Sequence, residues 1–137
     1  MLNTGTQTAF VNGCFDVLHY GHLKLLEYAK SQADILVVGI DSDMRVSKNK
    51  GPTRPFNSQK IRKYFLESLV YTDKVIVFDD DEQLTNLVKS LKPHIMIVGK
   101  EYENKKVIGS EYAKEVKFFE RIGEHSTTKI LQNTFSR

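Results

Sequence analysis

Short apolar runs alternate along the chain with stretches in which apolar residues recur at helical spacing. The apolar runs predict five strands, at residues 8–11, 35–40, 74–78, 95–98 and 116–119. Helical spacing predicts helices after His22, after a cap at Asn57 or Ser58, and from Asp79 to a stop at Pro93. A last helix is predicted to begin at Ser126.

This alternation is typical of an α/β fold of the Rossmann-like, doubly wound type. Strands that alternate with helices form right-handed crossovers, so the sheet is expected to be parallel and to carry helices on both faces. Ligands of such sheets bind at the carboxyl ends of the strands. Three segments fall there: the turn 13–22, the loop after Ile40 and the turn at Gly99.

Length and composition favour one domain over the whole chain, 1–137, with a core of about 8–132. The chain has 137 residues, of which 40% are hydrophobic, enough to bury a core. It has no apolar run of membrane-spanning length, and residues 1–4 do not resemble a signal peptide. The single Cys14 allows no internal disulfide, and a cytoplasmic location is therefore expected.

Positive charge is concentrated in one segment. Residues 44–63 contain seven basic side chains and no acidic one, although the net charge of the chain is only +3. Phe56 is the one aromatic residue among them, whereas a nucleic-acid surface would interleave several. The pattern therefore favours a polyphosphate ligand and argues against nucleic acid as a partner.

The junction of the first strand and first helix carries two histidines, His19 and His22. A helix that begins directly after a parallel strand presents backbone N–H groups and the positive end of its dipole to an anion. Two imidazoles at the same place add hydrogen-bond donors for phosphate oxygens. The junction therefore predicts a nucleoside triphosphate site. Further His or Cys ligands are not evident nearby, so a metal site on the protein is not expected.

The same junction resembles the HxGH signature of the cytidylyltransferase-like nucleotidyltransferases, through Gly13-x-Phe15-Asp16 and His19-x-Gly21-His22. The segment Ser126-Thr127-Thr128-Lys129-Ile130 resembles the phosphate-facing helix start that closes those chains. The similarity extends over roughly residues 8–132. It is strongest to the small glycerol-3-phosphate cytidylyltransferases and to the adenylyltransferase domain of ADP-heptose synthase. It implies the strand order 3-2-1-4-5 and a homodimer.

The resemblance also implies roles for individual residues. His19 and His22 would stabilise the transition state, Lys50 and Lys48 in a basic loop would clamp the triphosphate, and Arg121 would contact phosphate. The nucleotide would further contact Gly13, Cys14, Phe15, Asp16, Gly21, Arg62, Gly99, Ser126, Thr127 and Thr128. The phosphorylated acceptor would contact Lys48, Glu101, Tyr102 and Arg121. Mg²⁺ would be carried in with the nucleotide, and the acidic residues 79–82 would serve the helix N-terminus.

The two subgroups differ in nucleotide and acceptor. Arg121 matches an arginine of the glycerol-3-phosphate enzymes, which favours CTP and a phosphorylated polyol or sugar as substrates. Arg54-Pro55-Phe56-Asn57 instead resembles the heptose adenylyltransferases, and Glu101 stands where those enzymes usually carry aspartate. The alternative is therefore an ATP-dependent heptose 1-phosphate adenylyltransferase. A further alternative, of another class, is a catalytically silent nucleotide sensor. In the family, the activated products feed capsule, wall or lipopolysaccharide synthesis.

Overall fold

A parallel five-stranded sheet lies at the centre of the protein, in the order β3-β2-β1-β4-β5. The computed structural model describes residues 5–120. The strands are β1 (Thr8–Gly13), β2 (Ile35–Asp41), β3 (Lys74–Phe78), β4 (Ile95–Gly99) and β5 (Glu115–Phe119). Each neighbouring pair runs parallel. The strand order and the Rossmann-like class expected from the sequence are confirmed.

Four helices connect the strands: α1 (Tyr20–Ser31), α2 (Asp43–Lys50), α3 (Gln59–Glu67) and α4 (Asp81–Leu91). Each has a capping side chain that accepts a backbone N–H three residues further on; the caps are His19, Ser42, Ser58 and Asp80. No helix within residues 5–120 is both long and apolar enough to cross a membrane. The helix predicted from Ser126 lies outside the described residues.

The sheet separates two apolar layers because successive side chains of a strand point to opposite faces. On one face, Leu26 of α1 and Leu66 of α3 pack on alternate strand residues such as Val11 and Val38. On the other face, Leu84 and Val88 of α4 pack on the intervening strand residues, whose side chains point to that face. Helices therefore cover both faces, as the alternating pattern predicts.

The segment after β2 differs from its prediction. Lys48 and Lys50 were expected in a flexible loop, but they lie in the last turn of α2, which ends at Gly51 (φ 109°). Only Val46 of this helix is buried. Because a mostly exposed helix carries no apolar stripe, hydrophobic periodicity could not reveal it. The capping residue Ser42 was the one local signal.

Helix α3 turns a different face to the core than its apolar pattern predicts. The sequence predicts an apolar face made of Ile61, Phe65, Leu66 and Leu69, but Ile61 and Phe65 are 45% and 50% exposed. Leu66 is buried as the pattern predicts, and the charged residue Arg62 is buried as well. Burial of the Arg62 guanidinium is possible because four protein oxygens accept hydrogen bonds from it, as described below.

Candidate active site

A cavity of about 490 Å³ opens at the carboxyl ends of β1, β4 and β5. Strand β1 lies between β2 and β4, so the cavity sits where the order of strands along the chain reverses direction in the sheet. Open α/β sheets bind their ligands at this place. The cavity is lined by Asn12, Gly13, Cys14, Phe15, His19, Gly21, His22, Leu25, Lys50, Gly99, Glu101, Tyr102 and Phe119.

The turn that leads from β1 into α1 has a strained backbone. Phe15 and Val17 both adopt left-handed conformations, with φ of 50° and 49°. This conformation is unfavourable for side chains that carry a Cβ, and most of all for a β-branched one such as Val17. The Phe15 ring is buried beside His22, with 5.2 Å between ring centroids. A Cβ added to Gly13 would lie 3.1 Å from Phe15 Cε2, so a residue without a side chain fits best there.

His19 and His22 cap the helix reciprocally. The His22 N–H donates to His19 Nδ1 at 3.4 Å, and the His19 N–H donates to His22 Nδ1 at 3.3 Å. Their rings stack with centroids 3.7 Å apart. Because Nδ1 is an acceptor in both rings, each neutral imidazole carries its proton on Nε2. The turn therefore fixes the tautomer that makes both Nε2 atoms donors, which is what phosphate oxygens require.

Lys50 and the turn after β4 form a further part of the cavity rim. Lys50 ends α2, and Glu101 and Tyr102 belong to a short 3₁₀ turn, Lys100–Tyr102. The Glu101 carboxylate lies against Gly99, where an added Cβ would be 2.8 Å from the carboxylate carbon. Gly99 therefore lets Glu101 fold back over the end of β4. The rim thus brings one cation and one carboxylate to the cavity lined by the two histidines.

Asp16 acts beneath the cavity and does not line it. It is 1% exposed, and its carboxylate accepts the N–H groups of Phe56 at 2.6 Å and Asn57 at 2.8 Å. Arg54 Nε approaches the same carboxylate at 3.5 Å. Asp16 therefore ties the segment 54–57 to the turn between β1 and His22, the histidine turn. A nucleotide contact by this side chain stays a prediction.

Arg62 joins four parts of the site and is likewise absent from the cavity wall. Its guanidinium donates to the carbonyl oxygens of Asn57, Cys14 and Asp41 at 3.0, 2.9 and 2.8 Å. It also donates to Asp43 Oδ1 at 2.9 Å. The acceptors come from the segment before α3, the histidine turn, the end of β2 and the start of α2. Arg62 therefore braces these four segments, and a direct contact between its side chain and the nucleotide stays a prediction.

Burial raises the pKa of the Cys14 thiol, and the nearby positive charges of Lys50 and Arg62 offset only part of that effect. A raised pKa keeps the thiol protonated and weakly nucleophilic at neutral pH. Cys14 is half-buried and lines the cavity. Its place and chemistry fit a small wall residue.

Most of the predicted site residues come together in the structure. Ten of them line the cavity: Gly13, Cys14, Phe15, His19, Gly21, His22, Lys50, Gly99, Glu101 and Tyr102. Lys48 is exposed on α2 and does not contribute to the lining. Arg121 and the segment Ser126, Thr127 and Thr128 lie outside the described residues.

Sequence reasoning missed three lining residues, Asn12, Leu25 and Phe119. Asn12 is in the last part of β1 and Phe119 is the last residue of β5. The rule that ligands bind at the carboxyl ends of parallel strands was the signal that could have found these two. Leu25 follows from the register of α1, because it lies one turn beyond His22.

Charge in the basic segment is partly neutralised. Arg45 pairs with Asp41 and Asp81, Arg54 with Asp16, and Arg62 with Asp43. The positive charge that is not paired in this way belongs to the lysines, of which Lys50 reaches the cavity. In residues 5–120, no three His, Cys, Asp or Glu side chains are grouped as ligands of a metal ion would be.

The parallel sheet, the cavity at its strand ends and the paired histidines together define a nucleotidyltransferase domain. The chain belongs to the cytidylyltransferase-like family, whose model matches residues 10–135.

Relatives with similar sequences are longer proteins. The bifunctional protein HldE of Campylobacter fetus is 46% identical over 128 residues, which cover 93% of this chain and 28% of that protein. The bifunctional protein HldE of Sulfurimonas denitrificans is 45% identical, with 94% of this chain and 27% of that protein covered. This chain therefore spans little more than a quarter of the length of these relatives.

Solved structures share the fold. A lipopolysaccharide core biosynthesis protein from Thermoplasma volcanium superimposes with a TM-score of 0.70 at 25% identity, covering 87% of this chain and all of that one. A pantoate-β-alanine ligase from Francisella tularensis superimposes with a TM-score of 0.60 over 93% of this chain and 63% of that one. Its identity of 16% makes it a comparison of fold alone.

Proposed function

We propose that the chain is an adenylyltransferase that transfers AMP from ATP to a heptose 1-phosphate, forming ADP-heptose and pyrophosphate. The observation that carries the proposal is the convergence of His19, His22 and Lys50 on one cavity at the carboxyl ends of the central strands. This arrangement supplies several donors and one cation to a polyphosphate, and it offers no base–nucleophile pair for covalent catalysis.

The relatives support ATP and a heptose phosphate as substrates. The sequence alone, through Arg121, favours CTP and a phosphorylated polyol or sugar. The sequence resembles both small glycerol-3-phosphate cytidylyltransferases and one domain of ADP-heptose synthase. The HldE relatives are described as bifunctional, and this chain covers only 28% of the Campylobacter fetus protein. Similarity to this bifunctional class at 46% identity favours the adenylyltransferase alternative. The similarity to a lipopolysaccharide core biosynthesis protein favours the same choice.

The reaction asks little of a general base because the attacking phosphate oxygen is already an anion. An oxygen of the acceptor phosphate forms a bond to the α-phosphorus of ATP, and the bond from that phosphorus to the β-phosphate bridging oxygen breaks. Pyrophosphate leaves with the electron pair. His19 and His22 would donate from Nε2 to oxygens on which negative charge increases, and Lys50 would neutralise charge across the cavity.

Mg²⁺ is proposed to enter as its complex with ATP. The grouping of acidic and histidine side chains in residues 5–120 offers no ready-made site for a resident ion. When bound, the ion would neutralise charge on the departing pyrophosphate. The contributions of this chain to catalysis are the orientation of the triphosphate and the donation of hydrogen bonds to it.

CTP and glycerol 3-phosphate remain the second candidate pair, because Arg121 matches the cytidylyltransferase pattern. A catalytically silent sensor is a third candidate, and it would bind nucleotide without releasing pyrophosphate. The retention of both histidines and of Lys50 argues for turnover, since a sensor needs only to bind.

The test is pyrophosphate release with Mg²⁺, with ATP and CTP each crossed against heptose 1-phosphate and glycerol 3-phosphate. Release specific to ATP and heptose 1-phosphate is expected. Release specific to CTP and glycerol 3-phosphate would replace the proposal by the second candidate. Binding of ATP in calorimetry with no release in any pair would support the sensor instead.

A further inference from the structure

A second cavity, of about 400 Å³, opens beside the first. Both cavities are lined by Lys50, Tyr102 and the segment from Asn12 to Cys14, which includes the end of β1 and the residue after it. The second one lacks His19 and His22 and extends from the shared residues towards α2 and residues 106–108. The two cavities therefore share these residues, and only the first is lined by the two histidines.

The wall of the second cavity combines an apolar floor with a polar rim. Val107 and Ile108, both half-buried, form part of the floor, while Asp41, Arg45, Asn49 and Lys106 contribute polar groups. Arg45 is held by Asp41 and Asp81, at 2.8 Å each, so its charge is already balanced within the protein. Asn49 and Lys106 are both exposed. The rim therefore offers an amide and an ammonium group to a ligand.

The chemistry of the transfer gives the second cavity a role. Attack on the α-phosphorus is in line with the departing pyrophosphate, so the acceptor approaches from the side opposite to it. The β- and γ-phosphates are expected at the histidine turn, where the helix N-terminus and the two Nε2 donors lie. The acceptor then belongs on the side of the shared residues away from the histidines, and the second cavity, which His19 and His22 do not line, extends from those shared residues.

We propose that this second cavity binds the phosphorylated sugar, and that Asn49 and Lys106 determine which sugar is accepted. The inference rests on the proposed function. The Asn49 amide both donates and accepts hydrogen bonds, as sugar hydroxyls require, and Lys106 attracts the anionic acceptor. The apolar floor contacts the face of a sugar ring. The volume is within the usual range for small-molecule sites, and a short polyol phosphate would leave much of it empty.

Kinetics of the variants Asn49→Ala and Lys106→Ala test the assignment. The KM for heptose 1-phosphate is expected to rise about tenfold in each, since each loses one polar contact. The KM for ATP is expected to stay within about twofold of wild type, because neither residue lines the first cavity. Preference for heptose 1-phosphate over glycerol 3-phosphate should fall in Asn49→Ala.

Two matched controls change the same residue types elsewhere. Lys114→Ala removes an exposed lysine that precedes β5, and Asn86→Ala removes an exposed asparagine of α4; neither residue lines either of the two cavities. Both controls should behave as wild type. An unchanged KM for heptose 1-phosphate in both test variants, or an equal rise in the KM for ATP, would overturn the inference.

A binding measurement separates this inference from the proposed function. Calorimetry of heptose 1-phosphate is performed in the presence of a non-hydrolysable ATP analogue, with wild type and both test variants. If wild type releases no pyrophosphate but binds the sugar phosphate, and both variants bind it about tenfold more weakly, the inference holds while the proposed reaction fails. Absence of binding by wild type, or equal binding by all three proteins, contradicts the inference itself.

Discussion

His19 and His22 each accept the other's backbone N–H through Nδ1, at 3.4 and 3.3 Å, and their rings stack 3.7 Å apart. One pair of side chains thereby caps α1 and presents two Nε2 donors at its N-terminus. The same two residues therefore stabilise the helix and supply the hydrogen-bond donors of the site. Substitutions that preserve one property and remove the other can separate them.

We expect His19→Ala to lower kcat about 100-fold or more, by removing a donor to the transition state. It should also cost about 1 kcal/mol of unfolding free energy, because the cap is lost. His19→Asn keeps a capping oxygen and should recover most of that stability while kcat stays low. Steady-state kinetics and urea unfolding give the two quantities. Recovery of kcat in His19→Asn would show that capping, and not the imidazole donor, limits turnover.

Arg62→Ala should destabilise the fold by about 3–5 kcal/mol, because it leaves the buried oxygens that Arg62 contacts without their donor. Arg62→Lys should recover only part of this, since an ammonium cannot reach all four acceptors. Lys60→Ala, an exposed position on the same helix, serves as the control and should change stability by less than about 0.5 kcal/mol. Urea unfolding measures all three variants. A loss for Arg62→Ala no larger than that of the control would refute the bracing role.

Alkylation of Cys14 should be slower than that of an unhindered thiol at the same pH. Burial raises its pKa, so at pH 7 to 8 a smaller fraction is thiolate than in an ordinary cysteine. The rate should rise with pH over a higher range than for glutathione. Cys14 is the single cysteine of the chain, so iodoacetamide labelling followed by mass spectrometry reads it directly. Saturating ATP with Mg²⁺ should slow labelling further; a rate indifferent to nucleotide would place the ligand away from this wall.

Asp73 should contribute to stability at neutral pH and lose that contribution in acid. Partial burial acts to raise its pKa, but hydrogen bonds from Lys30 Nζ and the Leu36 N–H outweigh it and the pKa is lowered. Because the folded-state pKa lies below the unfolded value, the stabilisation is present above the unfolded pKa and disappears as pH falls through the folded one.

The Lys30–Asp73 pair is partly exposed and screened by solvent, so Asp73→Asn should cost about 1 kcal/mol or less at pH 7. The difference from wild type should shrink towards pH 3. Unfolding free energies of both proteins across this range provide the measurement, and a difference that grows in acid would contradict the sign of the shift.

We expect the homodimer implied by the family resemblance to form through an exposed apolar surface in and after α3. Tyr64, Phe65 and Val70, in and after α3, are 69%, 50% and 85% exposed. Sedimentation equilibrium should show a dimer that Phe65→Asp converts to monomer, since a buried unpaired charge opposes association. Met44→Asp, which changes an exposed apolar residue of α2, is the control and should leave the dimer intact. A monomeric wild type would refute the dimer.

Local sequence determined the strands, three of the four described helices and the histidine turn. Apolar runs mark strands such as β2 and β4 because both faces of a parallel sheet are buried, and the caps Ser58 and Asp80 lie beside the helices that they begin. The site residues closest to the histidines in the chain were also predicted from local sequence. Their positions follow from one strand, one turn and one helix.

Tertiary structure alone decided the roles of Asp16 and Arg62. Asp16 binds the N–H of Phe56, 40 residues away, and Arg62 binds the carbonyl of Cys14, 48 residues away. No periodicity reports such contacts, because they depend on how loops from different crossovers meet at the sheet edge. Local sequence patterns likewise do not report which face of α3 is exposed, or that the second cavity exists. The burial pattern of α3 and the second cavity both depend on segments that are distant in sequence. Burial of the Arg62 guanidinium becomes favourable only once its hydrogen-bond acceptors have assembled around it.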